Sequence, residues 1–239
     1  MNKHRIITTS WDDGYPADYR LAELLLKYNL PGTFYLPKCN AEHEVMGECQ
    51  MTELSAHFEI GGHTINHVRI SDTSTQVFET EIKGCYHWLT ELLGKEPESF
   101  CFPRGVYNQE AVVYAFKTGF KVIRNTELLN PNLSKSSEVV PTTLQLYPHS
   151  SLTYFKHLVK RLKIRSLGVY LRSGMKSNLL QLVDYYLAYV AQHGGCFHLW
   201  GHSWELEQYN LWDELEAVFR IISNRSEFEY MQNRELGLN

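Results

Sequence analysis

The chain has 239 residues, 44% of them hydrophobic and 21% charged, a balance that excludes the disordered and fibrous classes. α/β barrels and doubly wound sheets reach about 200 to 250 residues without splitting, so one domain over 1–239 is expected. The formal net charge of −4 gives no basis for a nucleic-acid partner, which would favour a strongly basic face. Cys39, Cys49, Cys85, Cys101 and Cys196 are odd in number and lack CxxC spacing, so reduced thiols are expected and not a disulfide framework or a cysteine zinc site. The opening MNKHRIITTSWDDG turns polar too early for a secretory signal, and no apolar run approaches about 18 residues, which sets a cytoplasmic expectation.

In chain order, β-prone apolar runs alternate with amphipathic helical patterns, as in repeated β-α units around a mostly parallel sheet or barrel. Arg5 to Trp11 reads as the first strand. Pro16 to Tyr28 has Leu21, Leu24, Leu25 and Tyr28 at helical spacing, and Leu30 to Pro37 is a second strand framed by prolines and glycine. Phe58 to Gly62 is a third. Ser74 to Leu93 is a helix with Thr73 or Ser74 as cap and Gly94 beyond its end, followed by a strand at Ser99 to Phe102. Asn108 can cap a helix to about Thr118, and Gly119 leads into the strand-like FKVI run. Residues 130–150 read as irregular rim structure, and helical periodicity returns at Ser177 to His193. GGCFHLWGHSW is a last buried strand, and Leu206 to Ile222 a closing helix.

Three polar clusters follow predicted strands: Asp12 and Asp13 in SWDDG, His63 and His67 in GGHTINH, and His202 in LWGHSWE. In parallel β-α architectures the loops after strand C-termini converge on one face, so these groups can meet. If the backbone turns helical after Gly62, His63 and His67 share a face and can offer two nitrogens to a cation such as Zn²⁺, with a carboxylate as third ligand. HxxxH also arises by chance in a chain with 11 histidines, and DDG also makes a solvated acidic turn or helix cap. Of two adjacent acids on a loop, one can ligate a cation and the other accept a proton from water. In an extended FHLWGH run, His198, Trp200 and His202 face one way and Phe197 and Leu199 the other. His202 at the strand exit could act as a general acid, whereas His198, deeper in the strand, suits a histidine satisfied by core hydrogen bonds.

Together and in this order, SWDDG, GGHTINH, FCFPRG and LWGHSWE resemble the polysaccharide deacetylase family, the NodB-like domain of carbohydrate esterase family four. The resemblance implies an α/β fold, an irregular TIM-like (β/α) barrel of about seven units, and a divalent metal, most often zinc with cobalt or another transition metal as alternatives, held by an Asp, His, His triad. Those positions are Asp13, His63 and His67. By the same match Asp12 is the general base, His202 the general acid, and Thr64 a support for the histidine motif. The implied activity is metal-dependent removal of an N-acetyl group from an amino sugar in a saccharide. Competing expectations are a same-fold amidohydrolase acting on a small non-sugar amide, cyclic imide or ureide, and a catalytically silent glycan-binding relative. Retention of Asp12 and His202 beside the ligands argues against the latter. Arg104, Leu199, Trp200 and Trp204 are candidate substrate contacts, the apolar three as a wall around the acyl methyl.

The motifs depart from the family at two places. The family's third motif often has an arginine that pairs with the catalytic aspartate, and here that position is Cys101, with Arg104 nearby as a partner for Asp12, a substrate ligand or a solvated loop arginine. The fourth often supplies an aspartate that tunes the acid histidine. The corresponding VIRNTE offers Arg124 and Asn125, with Glu205 as a replacement acid. Residues 139–183 contain no Asp or Glu but hold Lys156, Lys160, Arg161, Lys163, Arg165, Arg172 and Lys176 among apolar residues. This segment is either a solvated helix face or a contact for anionic lipid or a phosphate-bearing glycan carrier. His149, just before it, could line the cleft.

Overall fold

A computed structural model of the chain describes residues 4–133 and 139–237. Strands β1 (Arg5–Asp12), β2 (Thr33–Leu36), β3 (Glu59–Gly62), β4 (Ser99–Cys101) and β5 (Val122–Arg124) lie side by side in chain order, and each neighbouring pair is parallel. Helices α1 (Asp18–Lys27), α2 (Glu48–Ser55), α3 (Thr75–Leu93) and α4 (Gln109–Thr118) make the crossovers. The strands are short and buried on both faces, as parallel strands sandwiched by helices must be.

After β5 the chain forms two very short strands, β6 (Val139–Val140) against β5 and β7 (Leu144–Gln145) against β8 (Gly195–His202). β8 in turn runs parallel to β1 over its whole length, from Arg5 opposite Gly195 to Asp12 opposite His202. The sheet order is therefore β6-β5-β4-β3-β2-β1-β8-β7. Its two edges are joined by only Pro141–Thr143, so the sheet curls until chain, and not a hydrogen-bonded ladder, bridges the gap. Thr142 N donates to Glu127 O and Thr143 N to His198 O, fixing that bridge to both sides. With β6 and β7 taken as one interrupted strand, the ring has the seven positions expected. A ninth strand, β9 (Glu229–Tyr230), adds to β1 outside this path.

Between β7 and β8 stand α5 (Ser151–Lys160), α6 (Ile164–Arg172) and α7 (Leu179–His193); α8 (Ser203–Gln208) and α9 (Trp212–Ile222) follow β8. The single closing helix expected from Leu206 is thus two. Asn210 takes a left-handed conformation, φ 54°, between them, and the break lets α8 begin directly after His202. Residues 151–172 form two helices that the sequence pattern had not separated, and α2 was not anticipated. Of the segment 130–150 expected to be irregular, 134–138 lie outside the described residues, and the remainder contributes β6 and β7. The caps at Asn108, whose side chain accepts from Ala111 N, and at left-handed Gly94 stand as expected. All five cysteines are free thiols.

Strand alternation sorts β1 into two faces. Trp11 packs outward, edge-on to Phe219 of α9, in the main apolar core between sheet and helices. Thr8, Ser10 and Asp12 point into the ring and meet partners in layers: Asn233, His198 and Arg124. The C-terminal turn Asn233–Gly237 closes the N-terminal end of the ring, where Asn233 also donates to the Tyr35 hydroxyl. The other end opens as a cleft.

Candidate active site

The cleft, of about 450 Å³, is lined by Asp12, Asp13, His63, His67, Trp200, His202 and Trp204, with Arg104, Leu128, Gln145 and His149 further out. The three sequence clusters therefore converge, because β1, β3 and β8 all end at this face. Asp13 follows β1 with φ 81° and Gly14 with φ 63°, a tight reversal that swings the second acid away from the first.

His63 and His67 meet differently from the expected helical spacing. The residues after Gly62 form a loop with Thr64 at φ 59° and His67 at φ 52°, and these two left-handed residues turn the second imidazole back toward the first. The Thr64 hydroxyl accepts from Val68 N, and the buried Glu81 carboxylate of α3 accepts from Asn66 N and Nδ2, so the loop is pinned from both sides. Gly61 is needed next door, since a Cβ there would lie 2.6 Å from the Tyr35 ring.

His63 Nδ1 lies 2.7 Å from the Cys101 carbonyl, which can only accept, so Nδ1 carries the proton and Nε2 presents a lone pair. That Nε2 and the Nε2 of His67 lie 3.4 and 3.0 Å from Asp13 Oδ1, a buried oxygen with no hydrogen-bond donor. Asp13 Oδ2 is taken by Trp204 Nε1 at 2.9 Å. One carboxylate oxygen and two imidazole nitrogens within 4.8 Å of one another, with one oxygen buried and undonated, form a donor set that fits a divalent cation such as zinc.

Asp12 ends β1 and forms a buried ion pair with Arg124 of β5. The guanidinium lies 5.1 Å from the Tyr35 ring centroid and 4.8 Å from that of Trp200. Cys101 and Arg124 are register partners on adjacent strands, so the arginine missing from β4 is supplied one strand further on. Arg104 does not take that role. It sits at the rim in an ion pair with Glu42, which correct its assignment as a partner of Asp12. A charged residue inside the apolar VIR run was the sequence signal for Arg124.

His202 closes the other side. Its Nδ1–H donates to Glu205 Oε2 at 2.7 Å, and Nε2 faces the cleft, 3.9 Å from Asp13 Oδ2. Burial works against the imidazolium, but the Glu205 hydrogen bond and the Asp13 charge prevail and raise His202 to about 9. Glu205 also accepts from Gln145 Nε2, whose Oε1 meets His149 Nε2 at 2.9 Å. His149 thus belongs to the cleft wall, at the end of a hydrogen-bonded chain that reaches His202. His198 makes the expected core contacts, to Ser10 Oγ at 2.8 Å and Pro141 O at 3.2 Å, and burial drives it down to about 3.

Trp200 and Trp204 line the cleft, Trp204 with His43 stacked on it at 4.3 Å. Leu199 does not: it points to the opposite face of β8 and is buried in the core, so its assignment to the acyl wall is corrected by strand alternation. Leu128, which no sequence pattern singles out, supplies apolar surface there instead.

A sequence model of the family described as polysaccharide deacetylase matches residues 2–123. The protein YxkH of Bacillus subtilis is 28% identical over 126 residues, covering 52% of this chain and 45% of that protein. A peptidoglycan-N-acetylglucosamine deacetylase of Bacillus cereus is 27% identical over 124 residues, covering 51% and 57%. The chain spans about half the length of these relatives. A solved structure from Mycobacterium smegmatis shares the fold with TM-score 0.65 at 12% identity, over 99% of this chain and 90% of that one. Carrying the family's sequence pattern on a curled parallel sheet whose strand ends gather two aspartates and three histidines, the chain belongs to the polysaccharide deacetylase family.

Proposed function

We propose that the chain is a metal-dependent N-deacetylase acting on an N-acetylated amino sugar within a saccharide. One observation carries the reading: the Asp13, His63, His67 donor set lies in one cleft between a carboxylate held by Arg124 and an imidazole held by Glu205. A divalent cation bound to that set would polarise the amide carbonyl and acidify water.

The chain's own residues do the rest. Asp12 accepts the proton of the attacking water, and Arg124 fixes the carboxylate so that its free face meets the cleft. His202 then gives its Nε2 proton to the departing nitrogen, without which an amide cannot expel its amine. Glu205 holds the other ring nitrogen, which both orients the imidazole and keeps it protonated at neutral pH. Trp200, Trp204 and Leu128 form the apolar flank for a small acyl group.

The test is acetate release from N-acetylglucosamine oligosaccharides with added Zn²⁺ or Co²⁺. Asp13→Ala is expected to lose both metal and activity, and Asp12→Asn to retain metal while turning over at least about 100-fold more slowly. Full activity in metal-free protein would refute the reading, as would turnover of only small non-sugar amides.

A further inference from the structure

Ten large apolar side chains stand exposed among the described residues, and six of them, Leu152, Val159, Leu162, Ile164, Leu171 and Met175, fall within one 24-residue stretch. Leu162 and Ile164, at the corner between α5 and α6, are 82% and 81% exposed. Both helices are apolar on two sides. Their inner sides bury Tyr154, Leu158, Val169 and Tyr170, while Leu152 and Val159 on α5 and Ile164 and Leu171 on α6 repeat at i, i+7 on the outer sides.

Folding of the chain explains the inner residues and not the outer ones. Leu162 and Met175 adopt left-handed backbone, φ 52° and 53°, where glycine or asparagine is the unstrained choice. Exposed leucine at such a corner is unfavourable both for backbone and for solvation.

Charge says what covers this face. Residues 139–183 hold seven of the chain's 23 Lys and Arg and none of its 27 Asp and Glu. Lys163 pairs with Glu127, but Lys156, Lys160, Arg161, Arg165 and Arg172 have no carboxylate partner among the described residues. Apolar tips ringed by unpaired bases are the pattern of a segment that lies in a bilayer interface, with aliphatic groups among the acyl chains and cations at the headgroups. No described helix is long and apolar enough to cross a membrane, so the contact is peripheral.

We propose that the α5–α6 corner docks on an anionic lipid surface, inserting Leu162 and Ile164. Thr153 and His157 of α5 and Arg161 just after it line the catalytic cleft, so docking sets the cleft mouth near the headgroups. The inference stands on the exposed face alone and is independent of the reaction proposed above.

Flotation with vesicles of phosphatidylcholine alone or mixed with phosphatidylglycerol tests it. The chain should float only with the anionic vesicles, and added salt should weaken binding. Leu162→Glu with Ile164→Glu should bind at least about tenfold more weakly, and Lys160→Glu about fivefold or more. Leu162→Asn, suited to the left-handed backbone, should keep or raise the thermal midpoint while binding more weakly, which separates docking from folding. Three results overturn the proposal: no flotation with either vesicle, undiminished binding by the double variant, or a solution dimer that the double variant dissolves, since a second copy would then be the occupant.

Discussion

The two walls of the cleft are built on different principles. On one, Asp13, His63 and His67 come from two short loops shaped by left-handed turns at Asp13, Gly14, Thr64 and His67 and pinned by Glu81, the Cys101 carbonyl and Trp204. On the other, Asp12 takes its partner from far along the chain, Arg124, 112 residues away, while His202 takes Glu205, three residues on and braced by Gln145 of β7. The Asp13, His63 and His67 wall is thus set mainly by loop backbone, whereas Asp12 is held by a side chain that the curl of the sheet brings from β5. Cys101, at the position where the family resemblance expects an arginine, is the register partner of Arg124 on the adjacent strand.

That contrast is broken most forcefully at Arg124. Arg124→Met strands the buried Asp12 and should cost about 3–5 kcal/mol of stability, with activity falling at least about 100-fold. Denaturation and acetate release check both. Restoring arginine on the neighbouring strand, as Cys101→Arg in the Arg124→Met background, should recover part of the activity. No recovery would show that the two positions are not functionally equivalent.

Glu205→Gln is the next largest. It removes the carboxylate that raises His202, so the imidazole loses its proton at lower pH. The alkaline limb of the rate profile should move to lower pH, and kcat should drop about 10- to 100-fold. A profile with an unmoved alkaline limb would assign that limb to another group.

Trp204→Phe tests the ligand wall. It deletes the N–H held by Asp13 Oδ2 and should weaken metal binding about tenfold or more, measured by competition with a chelator, with little change in fold. A smaller effect belongs to His198, buried and neutral with its pKa down at about 3. Unfolded chain takes up a proton there near pH 6.5 and the folded chain does not, so wild-type stability should fall as pH drops from 6.5 toward 3. His198→Gln should flatten that part of the thermal-midpoint profile. Smallest of all is Arg104→Ala: its exposed pair with Glu42 should matter less than about twofold in kcat.

Much of this site was legible because its chemistry sits at strand ends. The order of DDG, HxxxH and WGH along the chain placed Asp12, Asp13, His63, His67 and His202 together before any coordinates, and the family match covers the first four. The alternation of FHLWGH likewise separated His198 and His202 from Leu199, which was nevertheless expected on the acyl wall and lies in the core. The α5–α6 face was legible only as an acid-free run; which of its leucines are buried depends on where the helices pack.

The sequence by itself determined the β-α repeat, the strand exits and the identity of the ligating types, since these follow from periodicity and from local turn chemistry within a few residues. Only the tertiary structure decided that Arg124 and not Arg104 meets Asp12 and that Leu128 lines the cleft. Both placements depend on sheet register and curl, which set distances between strands that no local pattern encodes.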